Sequence, residues 1–279
     1  MILRACGRPA SPEQVGFATK PELAKAMVCR ALDAGVPAAW VAGDEVDGAD
    51  PGLRAELQAR GVGYVLAVAC GHPVPFGGAT HRADALLTHL PARAWQQVSC
   101  GTGAKGHRLY DWAFIRLDHS HGGPAPDDQA GQLWLMVRRH QRTGELACYH
   151  CWMPRPVPLA MLARVAGRRW TIEERFQTGK GLCGLDQHQV RRWRSWYRWA
   201  TLAMLAHAFL VAAALTGHTQ HPPPSGLTAL TCNEVQHLSA ALLARPAGDR
   251  GHRLRWSVWR RRHQARARTC HYRRQAAHL

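Results

Sequence analysis

Apolar and polar positions recur along this chain with two periods, and the switches between them divide it into elements. From residue 20 to 34, Leu23, Met27, Val28, Ala31 and Leu32 return at three- and four-residue steps, which predicts an amphipathic helix with Pro21 in its first turn and Gly35 at its C-terminal cap. Residues 38–43 (AAWVAG) are a short apolar run and read as a buried strand whose acidic end, Asp44 and Glu45, emerges at its C-terminus. Asp50 and Pro51 form an N-cap and first-turn pair for a helix carrying Leu53 and Leu57, which Gly61 stops. A second buried strand follows at 63–69 (GYVLAVA), and strand, short helix, strand predicts a right-handed βαβ unit with parallel strands.

From 71 to 158 the texture changes to glycine, proline and short alternating runs. RLYDWAFIRL (108–117), QLWLMVRR (132–139) and ELACYHCW (145–152) predict antiparallel strands in a β-rich insertion, with a loop around His119 and His121. Helical spacing resumes at Leu159 to Val165, where Gly167 is expected to interrupt or bend the helix. Thr171 and Glu174 have the separation of a capping box, so a new helix is expected at about Ile172, with Ile172 and Phe176 in its buried stripe and Glu173, Gln177 and Lys180 pointing elsewhere. The apolar run from Ala200 to Leu215 is shorter than the ~20 residues a bilayer span needs and contains His207, so it reads as a buried core helix. After the linker HPPPSG (221–226), nine arginines lie between Arg253 and Arg274 beside Trp256 and Trp259, a helical basic region expected to stay partly unstructured without a polyanion.

Charge sharpens this picture. Lys and Arg total 36 against 19 Asp and Glu, a net +17 with pI ≈ 10.4, which favours a polyanionic partner, nucleic acid ahead of an anionic membrane surface. The first residues carry no signal-peptide pattern, so a cytoplasmic location is expected, nucleoid-associated when bound to DNA. Nine scattered cysteines read as reduced thiols. Cys148, His150 and Cys151 lack a second ligand pair at zinc spacing and read as strand residues, and Asp111 reads as structural.

Candidate chemistry gathers around 168–199. Arg169, Glu173 and Lys180 stand four and seven residues apart, which on a helix puts a carboxylate between two cations on one face. The plain alternative is a solvated surface face whose ion pair contributes only ~0.3–0.5 kcal/mol. Asp44 is either a loop aspartate solvating a strand end or a site carboxylate at the position where ligands bind in such sheets. Were Asp44 and Glu173 to meet, two ionised carboxylates would call for a cation, and Mg2+ (or Mn2+) suits that oxygen donor set. Lys105, His107, Arg108, Arg138, Arg139, His140 and Arg142 are either a solvated face or contacts to phosphate. In VRRWRSWYRW (190–199), Arg191, Arg192, Arg194 and Arg198 interleave with Trp193, Trp196, Tyr197 and Trp199, which suits phosphate contact and base stacking, or equally an amphipathic helix with snorkelling arginines.

These residues resemble the DDE transposases of bacterial insertion sequences. The helix motif of that family reads tyrosine, two residues, arginine, three residues, glutamate, six residues, lysine; Arg169, Glu173 and Lys180 match its last three positions, and VAGDEVDG (41–48) is similar to the segment around its second aspartate. The closing segments GLDQHQVRRWRSWYRWATLAMLAHAFL and WRRRHQARARTCHYRR are similar to the C-terminal part of such enzymes. The resemblance implies an α/β, partial ribonuclease H-like domain in four parts. They are the remaining first part of the core (1–70), a β-rich insertion (71–158), the glutamate helix with its following core helix (159–216), and the linker with the basic tail (217–279). It implies metal-dependent phosphodiester cleavage and strand transfer on double-stranded DNA, with Asp44 and Glu173 as catalytic metal ligands, Arg169 and Lys180 on DNA phosphate, and a homodimer in the DNA complex as one arrangement open to it. The chain departs from the pattern at Ala166, where the motif has tyrosine, at Asp47 and at Trp199. It also offers no candidate for the family's first aspartate, since the only Asp before position 44 is Asp33. An N-terminally truncated copy with little or no cleavage activity is therefore expected, or else a DNA-binding remnant without chemistry.

Overall fold

Thr19 sets the first helix in place by a reciprocal cap. Its hydroxyl accepts from the Glu22 backbone N–H while its own N–H donates to the Glu22 carboxylate at 2.7 Å, and α1 (Lys20–Asp33) follows with Gly35 (φ 78°) just beyond its end. In the computed structural model, residues 16–103, 106–118, 131–189, 192–221, 223–242 and 250–276 are described, and they fall into two compact units, Phe17–Thr171 and the remainder. Arg191, Lys105, His119 and His121 lie outside the described residues.

In the first unit, β1 (Trp40–Gly43) runs parallel to β2 (Gly63–Val68), as the apolar runs predict, with Trp40 opposite Gly63 and Gly43 opposite Leu66. Two helices rather than one connect them, α2 (Glu45–Ala49) and α3 (Pro51–Ala59), because Asp44 and Asp50 each cap a helix start within six residues. The stretch 71–158 does not form a separate sheet: β5 (Gln96–Gly103), β6 (Gly106–Arg116), β7 (Gln132–Arg139) and β8 (Leu146–Met153) join the first two strands in one six-stranded mixed sheet of order β1-β2-β8-β7-β6-β5. A small hairpin, β3 (Pro73–Phe76) with β4 (Ala79–Arg82), stands apart from it, as two prolines in β3 require.

Strand alternation sorts the large sheet into two faces. Tyr64, Leu66 and Val68, Leu133, Leu135 and Val137, and Cys148 and Trp152 pack with Leu53 and Leu57 of α3. Val65, Met136, Tyr149, Cys151 and Met153 pack on the other face with Leu159, Leu162, Ala163 and Ala166. These last four belong to α4 (Leu159–Cys183), so the unit is a helix–sheet–helix sandwich of mixed α/β class.

Two sequence expectations fail in α4. Gly167 does not interrupt the helix: a Cβ there would stand 1.8 Å from the Cys100 carbonyl oxygen, so glycine is what lets α4 lie on the backbone of β5. Thr171 and Glu174 form no capping box, because the helix passes through both and Glu174 O instead accepts from the Thr178 hydroxyl at 2.7 Å. Capping requires a free helix start, and position 171 is interior.

The second unit holds the last part of α4, ended by Gly184 (φ 63°), then α5 (Trp193–Gln220), α6 (Cys232–Leu242) and α7 (Arg250–Ala276). Its core is small: Leu210, Ala214 and Val235 with Leu182, Cys183, Ala213, Leu230 and Cys232 around them. The expected burial of Ile172 and Phe176 does not occur; they are 57% and 55% exposed. Nor is 200–215 a buried core helix. Ala203, Leu210 and Ala214 are covered on one narrow stripe, while Leu202, Met204, Leu205, Phe209 and Leu215 are exposed, because the end of α4, Leu230 and α6 cover only one side of a helix that is apolar on every side. Within the basic tail, Arg250–Ala276 form one helix. Arg260 pairs with Glu234, Arg261 Nε donates to Thr228 O at 2.8 Å, and Ser257 is buried, which gives α7 a packed side.

Candidate functional site

The acidic end of β1 is built by its helix cap. Asp44 Oδ1 accepts from the backbone N–H of Val46 (2.9 Å) and Asp47 (3.3 Å), which turns the chain from strand into α2 and leaves Oδ2 outside both bonds. Gly48 then lies on β2 so closely that a Cβ would meet Ala67 O at 1.9 Å, and at Gly43 a Cβ would meet the Asp47 carboxylate at 3.0 Å. Two glycines thus fold the acidic residues back over the strand ends. Burial lifts the Asp47 carboxyl above its ordinary value, and the charge of Asp44 adds to the rise, whereas the Arg169 guanidinium opposes it. Asp44, Asp47 and Arg169 therefore form one electrostatic group at the C-terminal rim of the parallel strands. Asp47 is the member that motif reasoning passed over; the clue available in sequence was the glycine at 43, which opens room for its side chain.

Along α4, Ala166 faces the core, so the tyrosine position of the motif is filled by a small packed residue. Arg169 is half-buried one turn later. Within the second unit Glu173 and Lys180 are exposed on the same uninterrupted helix, in the spacing that puts all three charges along one face. Glu173 and Arg169 both have interaction partners, so neither is an isolated charge. Among the described residues no group of three or more His, Cys, Asp or Glu side chains is arranged to hold a metal ion.

The cations of β7 are half-buried against neighbouring side chains. The Arg139 guanidinium lies 4.1 Å from the centroid of Trp95 and pairs with Asp111 at 3.2 Å, and Asp111 also accepts from Gln141, which makes it structural as its position in a strand suggested. Arg138 lies 4.7 Å over Tyr110. Arg108 stands 5.6 Å over the ring of Trp170. Each of these groups is partly desolvated by an aromatic ring, so a phosphate would have to share it.

The strongest concentration of positive charge is in the second unit. From residue 172 onward there are 17 Lys and Arg against 5 Asp and Glu, so this stretch carries +12 of the chain's +17. At the start of α5, Trp193, Trp196 and Tyr197 gather at centroid distances of 4.8–6.0 Å on one side, and Arg192, Arg194 and Arg198 are exposed around them. Trp199 is held against the end of α4, its indole N–H donating to Gly184 O at 2.9 Å. On α7 Arg255, Arg262, Arg266 and Arg273 follow helical spacing on an exposed side. The same α5 is, among the described residues, the helix with the length and apolarity to cross a bilayer, with 17% of its most apolar window buried.

On the other face of the first unit lies a buried polar group. Gln58 Nε2 donates to the Tyr64 hydroxyl (2.8 Å), Tyr64 stands 3.4 Å from His150 Nδ1, and His72 meets the His150 ring edge-on at 6.3 Å. Arg54, which donates to Gly48 O, bridges this group to the acidic rim. Burial, with the charges of Arg54 and His72, pushes His150 down to about 3, so it is neutral. Cys148 and Cys151 of β8 point to opposite faces of the sheet. No family model matches the chain, and no curated protein matches it.

Proposed function

We propose that this chain is a DNA-binding polypeptide derived from a DDE-type transposase with a partial ribonuclease H-like core, in which metal-dependent strand cleavage and transfer is the ancestral chemistry and is weak or lost. One observation carries the reading. Arg169, Glu173 and Lys180 keep the spacing of the family's glutamate motif on one uninterrupted helix, and Arg169 lies within electrostatic reach of the acidic group that Asp44 caps at the end of β1. The resemblance to the family motif assigns Asp44 and Glu173 as metal carboxylates, with Arg169 and Lys180 toward phosphate, and within the first unit Asp44 Oδ2, outside the cap bonds, is a hard oxygen that suits Mg2+ or Mn2+. When bound, the metal would polarise a phosphodiester oxygen.

A second reading, a DNA binder without chemistry, is favoured by where the charge lies. The +12 stretch, with 17 Lys and Arg against 5 Asp and Glu, and the Trp193–Trp196–Tyr197 group flanked by Arg192, Arg194 and Arg198 provide cation and ring surface for binding that calls on no metal carboxylate. One experiment separates the two. Fluorescence anisotropy with a labelled duplex at 50–200 mM salt should give binding that weakens linearly in log–log form, with a shallower slope for Arg194→Ala/Arg198→Ala. Supercoiled plasmid with Mg2+ or Mn2+ then tests nicking. Metal-dependent nicking abolished by Asp44→Asn, which keeps the cap, and by Glu173→Gln supports the enzyme; binding without nicking, unchanged in both variants, leaves the binder. Absence of binding at low salt defeats both.

A further inference from the structure

The end of β2 and the start of β8 bring two thiols together. Cys70 sits in the turn after β2, and Cys148 in the strand beside it, where Val68 is its register partner. Their sulfurs are 3.7 Å apart. Both backbones are held: Cys70 O accepts from Asp84 N at 2.8 Å, and His72 N closes the turn onto Ala69 O at 2.8 Å, while Cys148 lies between β2 and β7 in the middle of the sheet. A disulfide has its sulfurs about 2.04 Å apart, so closure asks for side-chain rotation and a small approach, not strand rearrangement. Access differs between the two, since Cys148 is 1% exposed and Cys70 is half-buried at the rim. Beside Cys70 the guanidinium of Arg82, gripped by Asp84 at 2.6 and 3.0 Å, lies 3.2 Å from where a Gly71 Cβ would be, a cation suited to an anionic small disulfide. Cys100 and Cys151 are buried too, yet their sulfurs lie against the backbone oxygens of Arg108 and Tyr149 rather than against another thiol.

We propose that Cys70 and Cys148 form a dithiol–disulfide site that exchanges with low-molecular-weight disulfides of the glutathione type. The Cys70 thiolate attacks one sulfur of the small disulfide, forms a mixed disulfide and releases one small thiolate, which takes up the proton that Cys70 lost. Cys148, after losing its proton, attacks the Cys70 sulfur and releases the second small thiolate. Two protein thiols are oxidised to one disulfide and one small disulfide is reduced to two thiols. The second step is the slower, because burial, and then the Cys70 sulfur, push the Cys148 thiol up. The product joins β2 to β8 and closes residues 71–147 into a covalent loop.

The test uses the full chain equilibrated in oxidised/reduced glutathione mixtures, quenched in acid and alkylated in denaturant. Peptide mapping should find Cys70 linked to Cys148, with neither of the two carrying glutathione, whatever exchange occurs at the exposed Cys270. Cys148→Ala should instead hold one glutathione on Cys70, and Cys70→Ala should leave Cys148 unmodified while the protein is folded, with circular dichroism reporting folding in each. A wild-type chain that carries glutathione on Cys70 with Cys148 free, or that forms the link only in denaturant, overturns the proposal. Should Cys148→Ala fail to fold, the wild-type linkage and the Cys70→Ala result decide: equal modification of Cys148 in Cys70→Ala would also overturn it.

Discussion

Lowering the pH from 7 to 5 should destabilise the first unit through His150. The imidazole is 5% exposed, and its Nδ1 faces a Tyr64 hydroxyl that already accepts from Gln58, so the neutral ring is the one accommodated. In the folded chain it titrates at about 3, pushed there by burial, then by Arg54 and His72, against an ordinary 6.5 in the unfolded chain. A depressed folded value gives stability that is full above the unfolded pKa and is lost as pH falls below it. At pH 5 the unfolded chain is protonated and the folded ring is not, a difference of about 1.5 pH units or ~2 kcal/mol, rising toward a ceiling of ~5 kcal/mol below pH 3. The pH 5 figure depends on the unfolded value and hardly on how far below 5 the folded one lies. His72, lowered by burial and by Arg54, adds in the same direction, whereas the raised Asp47 carboxyl acts in the opposite one. Native-state hydrogen exchange of β2 and β8 amides at both pH values measures the change, with His150→Gln as the comparison. The wild type should lose ~2 kcal/mol and the variant should keep most of it. An unchanged or greater stability at pH 5, or an identical loss in wild type and variant, would refute the reasoning.

Two substitutions probe the packing directly. Gly167→Ala places a Cβ 1.8 Å from the Cys100 carbonyl, so α4 must move off β5, and urea unfolding should register a loss of about 3 kcal/mol. Glu234→Gln leaves Arg260 beside a neutral partner in a pocket where the carboxylate was 3% exposed, and thermal unfolding of α6 and α7 followed by circular dichroism should show a loss of roughly 3–5 kcal/mol; an unchanged melt would mean the pair is dispensable.

Local signals in the first seventy residues translated well into structure because each helix start there carries its own cap. Asp50–Pro51 and the apolar runs at 40–43 and 63–68 depend on neighbours only a few residues away. The three strands at 106–116, 132–139 and 146–153 were legible for the same reason, through alternation. What the sequence concealed was long-range. Gly167 is a helix breaker by propensity and a contact residue in fact, and nothing near it in the chain announces Cys100. Thr171 and Glu174 have capping-box spacing, but tertiary packing of the preceding turns carries the helix through them. An apolar run such as 200–215 indicates a surface that prefers to be covered, not how many neighbours the fold supplies; here they cover one stripe. Within the candidate site, Asp44 could be placed from strand polarity alone. Its grouping with Asp47 and Arg169 needed the return of α4 across the sheet, more than a hundred residues later.

That return is governed by Gly167. At Gly167 the helix carries no side chain of its own against the Cys100 carbonyl, so the approach of α4 to β5 at that point is set by main-chain atoms. Arg169 lies two residues farther on, so its charge is held to the rim like a lever on a fixed fulcrum. Helix placement and rim charge are thereby coupled: a shift of α4 at Gly167 would carry Arg169 away from Asp47 and leave less to oppose the rise that burial and the Asp44 charge produce.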